Sequence, residues 1–513
     1  MQSAVVIGAG HNGLVCAAEL AAAGMDVTVV EQAPRPGGGV SSSQATLPGF
    51  VHDHCAGFFP VTRVSPAMLA QPLERHGVEW VVPDRSMAYP FEDGTAMALD
   101  LDLDSTAATL NAIDAGAGDA WRRLIAAVRP HASAFTGSIF HRLPPVGPAL
   151  RLAAGLGADL PEFARRSLGS AEAFGQDVFA AERSTAWFAS AAMHSGLEPR
   201  AAASGAFGFM LMLLGHVTSW PFPRGGAQSV TDALVAHGRA EGVTIRCDAP
   251  VDRILTRAGR AAGVRLRGGE EIAADAVVAT VTAHPLAAML PDDALPERTF
   301  RRLRRWRYGT GVFKVDYALD GPVPWAAEEP RGAAVVHVAG ELADLSRAAQ
   351  EGNRGVTPER PAIVAGQHSL FDPTRAPAGK HTLYTYCHVP PRGRDVSDED
   401  LTERVEAQLE RFAPGFQRLV LARHVRPPEQ LERENPSMVG GDLAGGAFEI
   451  DQQLVFRPTP ELSRYRAPLA GLYVGSASVH PGGAIHGIPG YEAAHAAIRD
   501  RRGLRPWRLR GRR

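Results

Sequence analysis

"SAVVIGAGHNGLVCAAELAAAGMDVTVVEQ", residues Ser3 to Gln32, is the stretch whose reading decides the fold. An apolar run, Ala4 to Ile7, leads into a glycine turn. Apolar positions at Leu14, Ala17, Ala18, Leu20 and Ala21 then recur at helical spacing, and a second apolar run, Val27 to Val30, ends at Glu31. This predicts a strand, a helix and a second strand, with GxGxxG at Gly8, Gly10 and Gly13. Gly8 permits the tight turn, Gly10 lets a pyrophosphate approach the backbone, and Gly13 lets helix and strand pack closely. The helix start adds unpaired N–H groups and a partial positive charge, which together suit an anion. Glu31 stands where a carboxylate accepts hydrogen bonds from a ribose diol, which disfavours a 2′-phosphate.

Just beyond Glu31, "QAPRPGGGVSSS" places Gly37 and Gly38 after Arg35. An NAD-binding chain usually continues into its next helix here, whereas a longer dinucleotide needs a second close backbone approach. FAD is therefore the expected cofactor, with an NAD-only dehydrogenase as a lesser alternative.

Working outward, 513 residues with 45% hydrophobic and 21% charged side chains predict a large core in two or three interleaved domains. A net charge of -2 gives no global electrostatic grip on nucleic acid. The run Arg501 to Arg513 is the segment suited to peripheral contact with anionic membrane or an acidic partner, and a frayed tail is expected there. Cys16, Cys55, Cys247 and Cys387 show neither metal-ligand spacing nor a disulfide framework, which predicts a reducing compartment. With no export signal and no apolar run of about eighteen residues, the expected location is cytoplasmic.

The pattern of GxGxxG, an acid ending the second strand, and RxGG resembles the flavoprotein superfamily of amine oxidases and phytoene desaturases. Gly8, Gly10, Gly13, Glu31, Arg35, Gly37 and Gly38 carry the resemblance. Many members have arginine directly after the second glycine. Gly39 stands there instead, as in the phytoene-dehydrogenase-like branch around the pyridine nucleotide-disulphide oxidoreductase domain proteins. "PRGGAQSVTDALVAHGRAEGVTIRCDAPVDRIL" resembles the segment that brings a valine backbone, here Val251, against adenine. "FDPTRAPAGKHTLYTY" and "DQQLVFRP" resemble markers of the same branch, and "ADAVVATVTAHP" the strand returning to the cofactor domain. "GLYVGSASVHPGGAIHGIPGYEAA" resembles the last cofactor motif: a strand ending at Gly475, a turn containing Gly482 and Gly483, and a helix from about Pro489. The resemblance implies that these glycines make room for an isoalloxazine.

It further implies an α/β fold, a Rossmann-type, glutathione-reductase-like FAD-binding domain interleaved with a mixed-sheet and helical substrate domain. Residues 1–65, 221–290 and 441–500 are assigned to the first; residues 66–220 and 291–440 to the second. "GAFGFMLMLLGHVTSWPF", Gly205 to Phe222, reads as a core helix or as the wall of an apolar tunnel.

Lysine occurs only at Lys314 and Lys380. Lys380 sits in a turn, but Lys314 lies inside the apolar strand "GTGVFKVDYAL". In amine-oxidase relatives a similar segment carries a lysine that holds a water at flavin N5, which makes Lys314 a catalytic candidate. The outer face of the strand is the plainer alternative. His480 and His486 either face the ring or the substrate or are bonded to loop backbone, and His486 is the second catalytic candidate. "HDHC", His52 to Cys55, offers two ligands on one strand, too few for a zinc site, so no metal is expected.

The expected function is an FAD-dependent oxidoreductase moving hydride from a C–H bond of an organic, largely apolar small molecule to N5, with oxygen or a quinone as electron acceptor. An amine oxidase-like flavoenzyme remains an alternative, as does a non-enzymatic prenyl or lipid carrier of the GDP-dissociation-inhibitor type.

Overall fold

The computed structural model describes residues 2–503; the expectation for the basic tail falls, beyond Gly503, outside the described residues. A five-stranded parallel sheet runs in the order Leu472–Val474, Ala276–Ala279, Ser3–Ile7, Asp26–Val30, Thr244–Arg246. Three of these five strands are rich in Val, Ile and Ala, and together with the apolar Leu472–Val474 they sit in the largest hydrophobic cluster, as a parallel sheet covered on both faces requires. The helix His11–Ala22 packs against both Gln228–Ala240 and Ile488–Arg501, so segments from the start, middle and end of the chain close over one sheet.

A seven-stranded sheet stands beside it, ordered Val420–Arg426, Gly311–Leu319, His381–Val389, Ile363–Gly366, Val335–Val338, Arg85–Pro90, Ala96–Asp100. Its neighbours are antiparallel except Val335–Val338 with Arg85–Pro90. Gly311–Leu319 is paired on both sides and buried along its whole length. Neighbouring strands and packed side chains leave that strand no solvent face, and Lys314 is only 1% exposed. The alternative that it sits on an outer face is thereby corrected.

A helical layer packs on the Ala96–Asp100 edge, around Trp121, Trp187 and Phe209. Within it the helix Ser204–Val217 answers both readings of its sequence. Phe209, Met212, Leu213 and Leu214 are core residues, while Phe207, Met210 and Leu211 line a cavity. Among the described residues no helix is long and apolar enough to cross a membrane.

Candidate active site

A continuous cavity of ≈ 830 Å³ starts at the first glycine turn and runs between the two sheets. Gly8 has φ +101°, and a Cβ on Gly13 would lie 1.9 Å from the Gly8 carbonyl oxygen, so both positions require glycine. Gly10 differs: a Cβ there would meet nothing within 4 Å, because its open side is the cavity. Gly10 caps the helix without a side chain, and Gly10, His11, Asn12 and Gly13 all line the wall. His11 Nε2 and Asn12 Oδ1 are buried there without hydrogen-bond partners. Burial lowers the pKa of His11 to about 4, leaving it a neutral donor or acceptor.

The second glycine loop stacks on the first. Gly37 N–H donates to the Ala9 carbonyl (3.0 Å), and Gly38 lines the cavity close to Gly10. Glu31 Oε2 accepts from Ala9 N–H (2.7 Å) and Oε1 from Ala33 N–H (2.9 Å), which fixes the carboxylate while leaving lone pairs towards the cavity. Arg35 lines the same end and donates to the Ser42 carbonyl (3.0 Å). Val251 closes that end at the start of its strand. The open backbone at Gly10, the orphaned polar atoms of the first helical turn and the anchored acid fit the pyrophosphate and ribose of FAD.

At the other end the glycines of "HPGGAIHGIPG" are used differently from the expectation. His480, Pro481, Gly483, Ala484 and Ile485 line the wall, but Gly475, Gly482 and His486 do not. Gly475 faces the last helix, where a Cβ would stand 3.1 Å from the Pro489 carbonyl oxygen. Gly482, at φ +118°, meets Phe448 and Arg457. Even Gly483 is held on its other side, where a Cβ would be 2.5 Å from Ala444 Cα. These glycines let chain pack on chain. His486 is fully buried; its Nδ1 accepts from Ile488 N–H (3.2 Å) at the start of the last helix, and its ring packs on Phe140. Burial lowers its pKa to about 3, so it is a neutral helix cap away from the wall.

Lys314 is also set back from the wall. Its Nζ is hydrogen-bonded to Asp316, two residues on along the same face, and lies 4.2 Å from the ring centroid of Tyr384, which does line the cavity. Arg426 donates to Asp316 Oδ2 (3.2 Å), and His52 Nδ1 is 3.8 Å from Oδ1. Burial pushes the lysine pKa down and Asp316 opposes the shift. The amine is therefore a buried counter-ion. "HDHC" has structural work as well: Asp53 accepts from Ser42, Ala227 N–H and Arg375, tying the "PRGGA" and "FDPTR" segments together.

The inner chamber is walled by Phe207, Met210, Leu211, Trp220 and Val364, with Tyr384, Tyr386 and His194 as polar groups. Tyr384 OH donates to the Cys55 carbonyl (2.6 Å), and Tyr386 OH is 2.9 Å from His194 Nδ1. Neither Tyr386 nor His194 was singled out from the sequence; they are 192 residues apart, and only the sheet brings them together. Wall residues that are also solvent-exposed mark the openings. Gln32, Pro34 and Arg35 do so at the dinucleotide end, and Leu168 (64% exposed), Ile450 (48%) and Leu454 (51%) at the chamber end. One mouth is polar and the other apolar.

Comparison with known proteins agrees with this geometry. The family described as flavin containing amine oxidoreductase matches residues 13–494. Pyridine nucleotide-disulfide oxidoreductase domain-containing protein 2 of Mus musculus is 28% identical, over 97% of this chain and 93% of its own. All-trans-zeta-carotene desaturase of Myxococcus xanthus is 27% identical, over 94% of this chain and 90% of its own. Among solved structures, an oxidoreductase from Methanosarcina mazei shares the fold at a TM-score of 0.65 and 19% identity, over 97% of this chain and 99% of its own.

Proposed function

Because this chain belongs to the flavin containing amine oxidoreductase family and is an FAD-dependent oxidoreductase, we propose that it dehydrogenates a largely apolar organic substrate by removing hydride from a C–H bond. The observation that carries this reading is the cavity itself, which joins a dinucleotide cradle to an apolar chamber with an apolar mouth. Each wall carboxylate is held by groups of the protein, and Glu31 stands at the dinucleotide end, away from the chamber. Glu31 holds Ala9 and Ala33, Asp442 accepts from Gly309, Ala444 and Gly446, and Glu434 lies 3.6 Å from Arg426. The chamber thus offers apolar surface and uncharged polar groups, which suits a hydrocarbon-like molecule better than an ammonium ion.

Bound FAD supplies the two-electron acceptor. The N–H groups of the Gly10–Gly13 turn would hold its pyrophosphate, Glu31 its ribose, and Val251 its adenine. The apolar chamber would orient the reacting C–H bond and exclude water. The resemblance to a carotene desaturase supports an isoprenoid-like substrate and a carbon–carbon double bond as product. Reoxidation by oxygen or by a quinone completes the cycle.

The test is anaerobic bleaching of the bound flavin by a panel of linear isoprenoid polyenes, cyclic terpenes and primary amines. Reduction by apolar compounds is expected. Reduction by amines alone would overturn the reading in favour of an amine oxidase. A colourless protein that FAD does not reconstitute would favour a carrier. Air and a soluble quinone, added in turn, identify the acceptor.

A further inference from the structure

Behind the chamber wall a file of hydrogen bonds runs from Tyr386 into the protein. Tyr386 OH lies 2.9 Å from His194 Nδ1, and His194 Nε2 lies 3.0 Å from His337 Nε2. His337 Nδ1 lies 2.8 Å from Ser190 Oγ, and Ser190 donates to the Trp187 carbonyl at 2.7 Å. Ser190 and His337 are fully buried, while Tyr386 and His194 touch the chamber.

The last bond orients all the others. A carbonyl oxygen can only accept, so the Ser190 proton points at Trp187. Ser190 Oγ must then accept from His337, which puts the proton of neutral His337 on Nδ1 and its lone pair on Nε2. That lone pair takes the Nε2–H of His194, which leaves His194 Nδ1 as an acceptor. Tyr386 is obliged to donate to it. The file therefore runs one way, and the phenol oxygen shows the chamber only lone pairs.

We propose that Tyr386 is the proton-accepting catalytic residue of this site, and that His194, with His337 and Ser190 behind it, is the positioning relay that takes the phenol's own proton. The proposal rests on reading the cavity as the dehydrogenation site. As hydride leaves one substrate carbon for FAD with its electron pair, the neighbouring C–H bond breaks. Its electrons form the new double bond, its proton bonds to the Tyr386 oxygen, and the phenol proton moves to His194 Nδ1. Substrate has lost two hydrogens, FAD has gained hydride, and His194 has gained one positive charge.

The groups set against His194 are Tyr386, His337 and His388, all uncharged at rest. Desolvation and the neighbouring His388 lower the pKa of His194 to about 4, so it is an empty acceptor across neutral and mildly acidic pH. A phenol hydrogen-bonded into such a file takes a proton without holding a buried phenolate, which its desolvation disfavours.

Two measurements test this. The first needs no turnover: long-range 15N NMR of the FAD-loaded protein with labelled histidine. His194 is expected as the Nε2–H tautomer and His337 as Nδ1–H, with Tyr386→Phe shifting His194 Nδ1 away from its hydrogen-bonded position. His194 protonated on Nδ1 would reverse the file and overturn the proposal. The second is stopped-flow anaerobic reduction by the polyene or terpene that bleaches wild type. Tyr386→Phe, which keeps the ring, is expected to retain FAD and slow reduction by about 10²-fold or more, with little change in the concentration giving half-maximal rate. His194→Asn should show the same loss. If wild type is reduced and Tyr386→Phe matches it, this proposal alone falls. If no apolar compound reduces wild type, the functional reading falls and takes the proposal with it.

Discussion

Lys314→Met is the most informative single change. It keeps the apolar stem and removes one of the two cations that face Asp316, which is fully buried. Breaking a buried ion pair by removing one partner costs about 3–5 kcal/mol. Arg426 remains 3.2 Å from the other carboxylate oxygen, so the lower end, ~3 kcal/mol, is expected here. The lost contact with the Tyr384 ring adds roughly 0.5–2 kcal/mol. A second substitution, Asp316→Asn, removes the stranded charge and should restore at least half of the loss. Coupling of this kind is what a double-mutant cycle measures. The assay is denaturant unfolding of wild type, both single variants and the double variant, with anaerobic reduction and reoxidation followed on the same preparations. The reasoning is refuted if Lys314→Met unfolds at the wild-type midpoint while its reoxidation by oxygen slows tenfold. That pair of results would put the amine at the flavin after all.

Four further outcomes follow from the same geometry. Gly10→Val should leave the apo fold intact, since a Cβ there meets no protein atom within 4 Å, yet abolish flavin absorbance. Gly13→Ala, whose Cβ would be 1.9 Å from the Gly8 oxygen, should lower the melting temperature of the apo-protein as well. Stability should fall as pH drops from about 6.5 towards 4, because His11, His52, His194, His368, His388 and His480 are each lowered to about 4 in the fold and bind protons when unfolded. Each contributes a slope of up to about 1.4 kcal/mol per pH unit within that window, and a melting temperature flat between pH 7 and 4.5 would contradict it. Ile450→Asp with Leu454→Asp should lower kcat/KM for an apolar substrate while leaving flavin content unchanged; equal loss for small polar substrates would count against an apolar mouth.

The first thirty residues carried most of what was legible in the sequence, because a phosphate-binding turn demands particular residues at fixed local spacing. The fold class followed from it, and the second glycine loop at Gly37 and Gly38 then separated FAD from NAD. The C-terminal glycine cluster misled because the sequence does not say which side of a glycine is crowded. A cluster can make room for a ring or for another stretch of chain; the crowded side of Gly482 meets Phe448 and Arg457 and that of Gly483 meets Ala444, while Gly483 also lines the cavity. Lys314 misled for a related reason. Its counter-ion Asp316 stood two residues away in the same quoted strand, a same-face spacing that signalled the pair. Arg426 and His52, which complete the cluster, come from distant strands. The file from Tyr386 to Ser190 was out of reach: its four side chains are spread between residues 190 and 386, and although Tyr386 ends the quoted segment "FDPTRAPAGKHTLYTY", nothing in the sequence joins it to the other three.

The contact between the first and last helices bears on how the protein is made. A Cβ on Gly490 would lie 1.9 Å from the Asn12 carbonyl oxygen, so the two backbones touch across 478 residues of sequence. At synthesis rates of about 5–20 residues per second, the nascent His11–Ala22 helix waits roughly 25–95 s for its partner. During that interval its buried face, with Leu14, Val15, Ala18 and Leu20, lacks part of its cover. The dinucleotide cradle, although encoded first, is among the last parts of the protein to be finished. Supply of flavin during synthesis, and holdase chaperones that recognise short apolar helices, should therefore govern how much of the chain escapes aggregation.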